Sequence, residues 1–208
     1  MTLWQCTYLH GFLSSGHSVK ANWFEDKFTA LSKDAHPLET RYELLRPTYP
    51  QLHPQLSIDF LRRFLDETLK QTEQACLIGS SLGGFYARFL AQEYQLPYIL
   101  INPALDPVRL LSDFQGEYTN PNTGETLNVD MSYANDLKRL YIESGETAPG
   151  LLLLDRGDEV ISYEETLTRF NTDENHPVRL FDGGDHAFQH LDQAWSDIEG
   201  FLHQHRKD

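Results

Sequence analysis

The chain has 208 residues, 40% of them hydrophobic and 12% aromatic, which suits one folded domain (residues 1–208) with a substantial core rather than a disordered polymer. Its 17 basic and 31 acidic side chains leave a formal charge of −14, a surface that repels nucleic acid and anionic membranes and disfavours polyanionic substrates. No apolar run approaches the ~18 residues of a membrane span. No basic segment followed by an apolar stretch and a cleavage site opens the chain, and its two cysteines, Cys6 and Cys76, each lie in an apolar run. A disulfide framework is not indicated, and a reduced, cytoplasmic location is expected.

Strand-like and helix-like segments alternate along the chain. Residues 3–9 read as a strand and 18–31 as a helix. Residues 42–45 form a second strand, ended before Pro47. A helix is predicted over 57–70, where Ile58, Leu61, Leu65 and Leu69 fall near one face. The short apolar run 75–78 is a strand that leads through a glycine-rich turn into an amphipathic stretch beginning near Phe85. Residues 97–101 are the next strand, stopped by Asn102-Pro103. The alternation then breaks over 106–149, a polar insertion rich in turn formers with a short helical pattern at 131–142. It is read as a short lid over a ligand crevice, with an inert surface excursion as the alternative. The continuous apolar run Leu151-Leu152-Leu153-Leu154 has the pattern of a strand buried on both faces. A helix at 163–170, a strand at 178–181 and a helix over 188–205 complete the order. In that last helix Phe188, Leu191, Trp195, Ile198 and Leu202 recur at helical spacing, expected to pack on the sheet, with dimerisation as the other use of such a face. Repeated β-then-α order makes this an α/β protein, with a mostly parallel sheet covered on both faces by helices.

One motif carries chemistry. Gly79-Ser80-Ser81-Leu82-Gly83 lies between a strand and a helix, the setting in which Gly-x-Ser-x-Gly forms a nucleophile elbow. The pattern by itself arises by accident at about 3 in 10,000 positions, so its strand–turn–helix context has to add weight. The flanking glycines are required where the turn crowds strand against helix. Ser81 is thus the candidate nucleophile, central between the two glycines as Ser80 is not; the competing use of Ser81 is a helix N-cap.

A serine hydroxyl needs an imidazole to take its proton, and the imidazole needs a carboxylate to fix its tautomer. With this elbow the chain order is serine, acid, histidine. Asp158 stands in the loop after the 151–154 strand, with Asp155, Glu159, Asp182 and Asp185 as rivals. His186 follows the last strand and the Gly183-Gly184 turn, which can aim it inward. Of the nine histidines, His190 is its nearest rival but falls inside the predicted final helix. The oxyanion donors are expected to be the backbone N–H of Leu82, at a helix N-terminus, and that of Phe12, after the His10-Gly11 turn. No metal-ligand spacing, P-loop or dinucleotide fingerprint is present, so neither a metal nor an organic cofactor is expected. Trp23, Phe12, Phe85 and Tyr118 are candidates to line a pocket, although core packing explains each equally well.

Taken together, Tyr8-Leu9-His10-Gly11-Phe12, Gly79-Ser80-Ser81-Leu82-Gly83-Gly84-Phe85-Tyr86-Ala87, Ile101-Asn102-Pro103-Ala104, Gly157-Asp158-Glu159-Val160 and Gly183-Gly184-Asp185-His186-Ala187-Phe188 resemble the α/β-hydrolase superfamily. Within it the chain resembles the compact YqiA-like bacterial esterases over nearly its whole length. That resemblance implies a compact α/β-hydrolase fold with Ser81 as nucleophile, Asp158 as acid and His186 as base. It also implies hydrolysis of small-molecule carboxylic esters, with acyl thioesters accepted by some members. The early loop departs from the family's pattern at Leu13 and at Gly16-His17, which bears on the pocket mouth and not on the triad. Acyl transfer to another acceptor, and a non-catalytic binding protein on the same scaffold, are the other classes of function weighed. The sequence leaves the oligomeric state open.

Overall fold

The computed structural model describes residues 3–34, 41–72, 74–108, 114–143, 145–170 and 172–206. Along the chain come β1 (Leu3–Leu9), α1 (Val19–Asp34), β2 (Arg41–Leu45), α2 (Pro54–Leu69), β3 (Ala75–Ser80), α3 (Leu82–Tyr94) and β4 (Tyr98–Ile101). They are followed by β5 (Gly116–Thr119), β6 (Thr126–Val129), α4 (Met131–Arg139), β7 (Gly150–Asp155), α5 (Tyr163–Arg169), β8 (Val178–Phe181) and α6 (Leu191–Gln204). Six strands pair in parallel in the order β2-β1-β3-β4-β7-β8, and β5 and β6 form a separate antiparallel hairpin.

The apolar strand runs work because both faces of the sheet are covered. Successive side chains on a strand point to opposite faces. Leu77, Leu100, Leu152 and Leu154 therefore join one core with Ile58, Leu61 and Leu65 of α2, Leu90 of α3 and Leu137 of α4. Their alternates, Cys76, Ile78, Ile99, Ile101, Leu151 and Leu153, join the opposite core with Phe24 and Phe28 of α1 and Ile198 and Leu202 of α6. Cys6 and Cys76 are register partners on β1 and β3, both buried in this second core. Among the described residues no helix is long and apolar enough to cross a membrane.

From β1 the chain steps outward to β2, then returns to the far side of β1 for β3. The carboxyl ends of β1 and β3 therefore flank the point where strand order reverses, which is where open α/β sheets hold ligands. Both the His10-Gly11-Phe12 loop and the elbow leave the sheet there.

Three elements differ from expectation. Helix α2 starts at Pro54, since a proline fits the first turn, whose N–H groups have no intrahelical acceptor. The insertion contains the β5–β6 hairpin, whose four-residue strands are too short and too polar to show in hydropathy. Helix α6 starts at Leu191 instead of 188, because Phe188 adopts a left-handed φ of 62° that a helix cannot contain. Its apolar face packs on the sheet as expected. Part of the segment read as a lid, residues 109–113 and 144, lies outside the described residues.

The insertion is fastened to the body by a buried ion pair. Arg88 of α3 meets Glu146 at 2.5 Å, and the Tyr98 hydroxyl donates to the same carboxylate at 3.0 Å. Both charged side chains are almost fully buried, so removing one partner strands the other away from water. Arg88→Met is expected to cost about 3–5 kcal/mol of folding stability. The double variant Arg88→Met/Glu146→Leu is expected to regain most of that, as read by urea denaturation. A double variant as unstable as the single one would contradict this account.

Candidate active site

Ser81 sits between the last residue of β3 and the first of α3 with φ 54° and ψ −124°, a backbone conformation that L-residues rarely adopt. The turn is tight enough to exclude side chains on either side. A Cβ on Gly79 would lie 2.3 Å from the Gly83 carbonyl oxygen, and one on Gly83 would lie 2.1 Å from that of Leu9. Ser81 makes no side-chain capping bond to α3; its Oγ is instead 3.0 Å from His186 Nε2. Ser80 is buried at the end of β3.

The structure brings the other two sequence-selected residues to the same place. His186 Nδ1 lies 3.0 and 2.9 Å from the two carboxylate oxygens of Asp158. With Nδ1–H donating to that carboxylate, Nε2 presents its lone pair to the Ser81 hydroxyl. Asp158 is itself held by backbone N–H groups: its Oδ1 accepts from Val160 at 2.9 Å and from Ile161 at 2.8 Å.

The rival acids have other partners. Glu159 accepts from the His186 backbone N–H at 3.1 Å, Asp185 from that of Ala187 at 2.8 Å, and Asp182 pairs with Arg156 at 3.1 Å. Asp155 has a role the sequence reading missed. Fully buried at the end of β7, it accepts from Gln189 N at 2.8 Å and contacts His190 Nδ1 at 2.6 Å. Asn102 joins the same loop to β7, donating to the Asp185 carbonyl and accepting from Asp155 N, both at 2.9 Å. A Cβ on Gly184, which has a φ of 75°, would fall 1.9 Å from Asp155 Oδ2. The loop that carries His186 is thus strapped to the adjacent strand end. The only sequence signal for this was an acid at the end of an apolar strand, which is also how a strand simply stops.

His10 and Phe12 stand at the end of β1. The His10 ring is buried and stacks on Tyr49 with centroids 4.1 Å apart. Its Nδ1 is 3.0 Å from the Gly11 carbonyl oxygen. Burial pushes its pKa down from 6.5 to about 4, against the opposing pull of that backbone bond. Gly11 lies against the nucleophile: a Cβ there would be 3.2 Å from Ser81 Cβ.

Two cavities meet at Ser81 and His186. One, of about 230 Å³, is walled by Phe12, Leu82, Ala104, Pro107, Phe114, Val160 and Ile161 and is almost wholly apolar. The other, of about 370 Å³, has mixed walls, with Ser14, Ser18, Lys20 and Glu159 supplying polar groups beside Tyr8, Phe12 and Ala187. Of the four aromatic candidates only Phe12 reaches the apolar cavity. Tyr118 supports it edge-on at 5.6 Å, Phe85 is in the core, and Trp23 packs on Phe24 and Trp195. Lys20 donates to the Ala187 carbonyl at 2.8 Å, and burial lowers its pKa while Asp185, Asp158 and Asp155 pull it back up. Among the described residues no cluster of three or more His, Cys, Asp or Glu side chains is placed to hold a metal ion.

Comparison with known proteins agrees with this architecture. The model of the Uncharacterised protein family (UPF0227) matches residues 5–203. Among solved structures, Est1E from Butyrivibrio proteoclasticus superposes with a TM-score of 0.77 at 15% identity, covering 98% of this chain and 88% of that one. Alpha/beta hydrolase domain-containing protein 10 from mouse gives 0.74 at 19%, covering 96% and 90%. The Paleococcus ferrophilus monoacylglycerol lipase gives 0.69 at 15%, covering 97% and 95%. The fold is the α/β-hydrolase fold.

The buried His10 predicts a specific acid sensitivity. Its folded-state pKa of about 4 lies below the unfolded 6.5, so above pH 6.5 the group adds no pH dependence. As pH falls from 6.5 toward 4 the unfolded state takes up the proton first, and stability drops by up to ~3 kcal/mol. His10→Gln is expected to flatten this part of the stability curve, as measured by urea midpoints at pH 7 and 4.5. An equal loss in wild type and variant would refute the assignment.

Proposed function

The chain belongs to the Uncharacterised protein family (UPF0227), the YqiA-like group, and we propose that it is a serine hydrolase that cleaves carboxylic esters through an acyl-enzyme on Ser81. The observation that carries this reading is the continuous chain of contacts from Asp158 through both ring nitrogens of His186 to Ser81 Oγ, open to an apolar cavity.

His186 Nε2 takes the Ser81 proton as Oγ attacks the ester carbonyl carbon. Asp158 holds the ring in orientation and stabilises the imidazolium. The carbonyl oxygen becomes an oxyanion, which on this reading the Leu82 and Phe12 backbone N–H groups hold. Leu82 opens α3, where the first N–H groups have no intrahelical acceptor and the helix dipole favours negative charge. Collapse of the intermediate breaks the ester C–O bond, and the departing alkoxide takes the proton from His186. Water, deprotonated by His186 in turn, then attacks the acyl-enzyme carbonyl; collapse breaks the C–Oγ bond, His186 returns the proton to Ser81 and the acid is released.

The cavities divide the substrate. The apolar one suits an acyl chain, which gains from leaving water. The mixed one, with hydroxyl, ammonium and carboxylate groups among its walls, suits the alcohol half better than the first cavity does. Its one cation and one carboxylate leave no net preference for a charged leaving group.

p-Nitrophenyl esters of graded acyl length test the reading. Ser81→Ala and His186→Gln are expected to reduce turnover to background, and Asp158→Asn to lower kcat by about 10³–10⁴ while leaving the fold intact. At equal acyl length, esters of hydroxylated alcohols are expected to show a lower KM than esters of aliphatic alcohols of similar size. Wild-type protein that turns over no ester, or Ser81→Ala with undiminished activity, would remove the basis of the mechanism.

A further inference from the structure

The backbone on either side of Phe12 is clasped by a single buried side chain from outside the loop. Gln51 lies in the segment between β2 and α2, and 1% of its surface is exposed. Its Nε2 donates to the Gly11 carbonyl at 2.9 Å, and its Oε1 accepts from the Leu13 N–H at 2.8 Å. One amide therefore holds the peptide groups that precede and follow Phe12. The carbonyl and the N–H it meets also fix which way the amide faces. The conformation it holds is not one the chain adopts freely, since Leu13 has a φ of 53° without being glycine.

Gln51 is in turn fixed by the insertion between β4 and β7. Its backbone N–H donates to Glu125 at 2.7 Å, and the Tyr133 hydroxyl donates to its carbonyl at 3.2 Å. The turn of the β5–β6 hairpin completes the clamp. Asn120 donates to the Ser14 carbonyl at 2.9 Å, and Asn122 to the Leu13 carbonyl at 3.1 Å. On the other side of Phe12, the Tyr49 hydroxyl donates to the His10 carbonyl. Gln51 touches neither Ser81 nor His186 among these bonds, and the apolar cavity is walled by other residues.

We propose that Gln51 is a positioning residue for catalysis: by clasping the Gly11 carbonyl and the Leu13 N–H it aims the Phe12 N–H at the oxyanion, and the β5–β6 hairpin holds Gln51 in place. This rests on the serine-hydrolase reading. An oxyanion donor acts only if it meets the oxygen of the tetrahedral state at hydrogen-bond distance, and a displaced donor loses most of its effect. The insertion then works as a brace on the catalytic loop.

The test is Gln51→Met, which keeps length and apolar bulk but loses both bonds, together with Gln51→Glu, which keeps the acceptor for Leu13 and sets an oxygen against the Gly11 carbonyl. Each is measured for kcat, KM, the pH profile of kcat/KM, thermal midpoint, and inhibition by an alkylboronic acid whose tetrahedral serine adduct places an oxygen in the oxyanion position. In both variants kcat is expected to fall about 10–100-fold, with boronate affinity falling by a similar factor. KM should change less than about threefold and the pH profile should not shift. Should neither variant fold, Asn122→Ala at the exposed rim of the same network is expected to lower kcat and boronate affinity together, by about two- to fivefold. Folded variants with wild-type kcat, or a fall in kcat with boronate affinity unchanged, overturn the proposal. If wild type shows no Ser81-dependent turnover, the hydrolase reading fails and the proposal with it. If Ser81-dependent turnover is intact and the Gln51 variants match wild type, only the proposal fails.

Discussion

The contact on which the site depends is the approach of the first turn of α3 to the carboxyl end of β1. Gly83 lies so close to the Leu9 and His10 carbonyls that no side chain fits between them. That closeness sets Ser81 beside Gly11 and brings the loop after β1 alongside the N-terminus of α3. A strained serine backbone costs on the order of 1–3 kcal/mol, and it persists only where the surroundings leave the chain no alternative. Here the surroundings are β3, buried along its whole length, and a helix whose first residues are all buried. Burial of the elbow and exposure of its hydroxyl to a cavity arise from the same packing.

His186 is held differently. It sits on a loop with two left-handed glycines, a conformation with much entropy to lose. The compensation comes from a buried carboxylate at the end of the neighbouring strand. Asp155 gathers the Gln189 N–H and the His190 ring, while Asn102 bridges the loop to β7. Two acids at the end of β7 thus divide the work: Asp158 faces the histidine ring, and Asp155 fixes the loop that carries it. Losing Asp155 would expose the buried donors it satisfies, a structural cost rather than a change in chemistry.

The electrostatic setting is local. A chain of charge −14 carries a site whose second cavity contains both a lysine and a glutamate, so the overall field does not describe what that cavity accepts. The long-range field acts on approach, and the groups within hydrogen-bond reach act on binding. A neutral ester with an apolar acyl group is compatible with both.

The fold class was legible because continuous apolar runs such as 151–154 occur where a strand is buried on both faces, and strands of the parallel sheet alternate with helices along the chain. The elbow was legible because its glycines are a local steric requirement, visible wherever the chain must cross itself closely. Ser81, Asp158 and His186 could be picked out by their places after strands, and the geometry brings those three together. The β5–β6 hairpin, the duties of Asp155 and Asn102, and the clasp of Gln51 left almost no trace. The hairpin's strands are too short and polar to show, and the other duties each depend on a side chain meeting backbone groups 30 or more residues away, as Gln51 does with Leu13. Local propensity and periodicity record what a segment buries, and they fixed the strands, helices and elbow from neighbouring residues alone. Which polar group satisfies which distant carbonyl or N–H is decided only when the tertiary structure removes water from both.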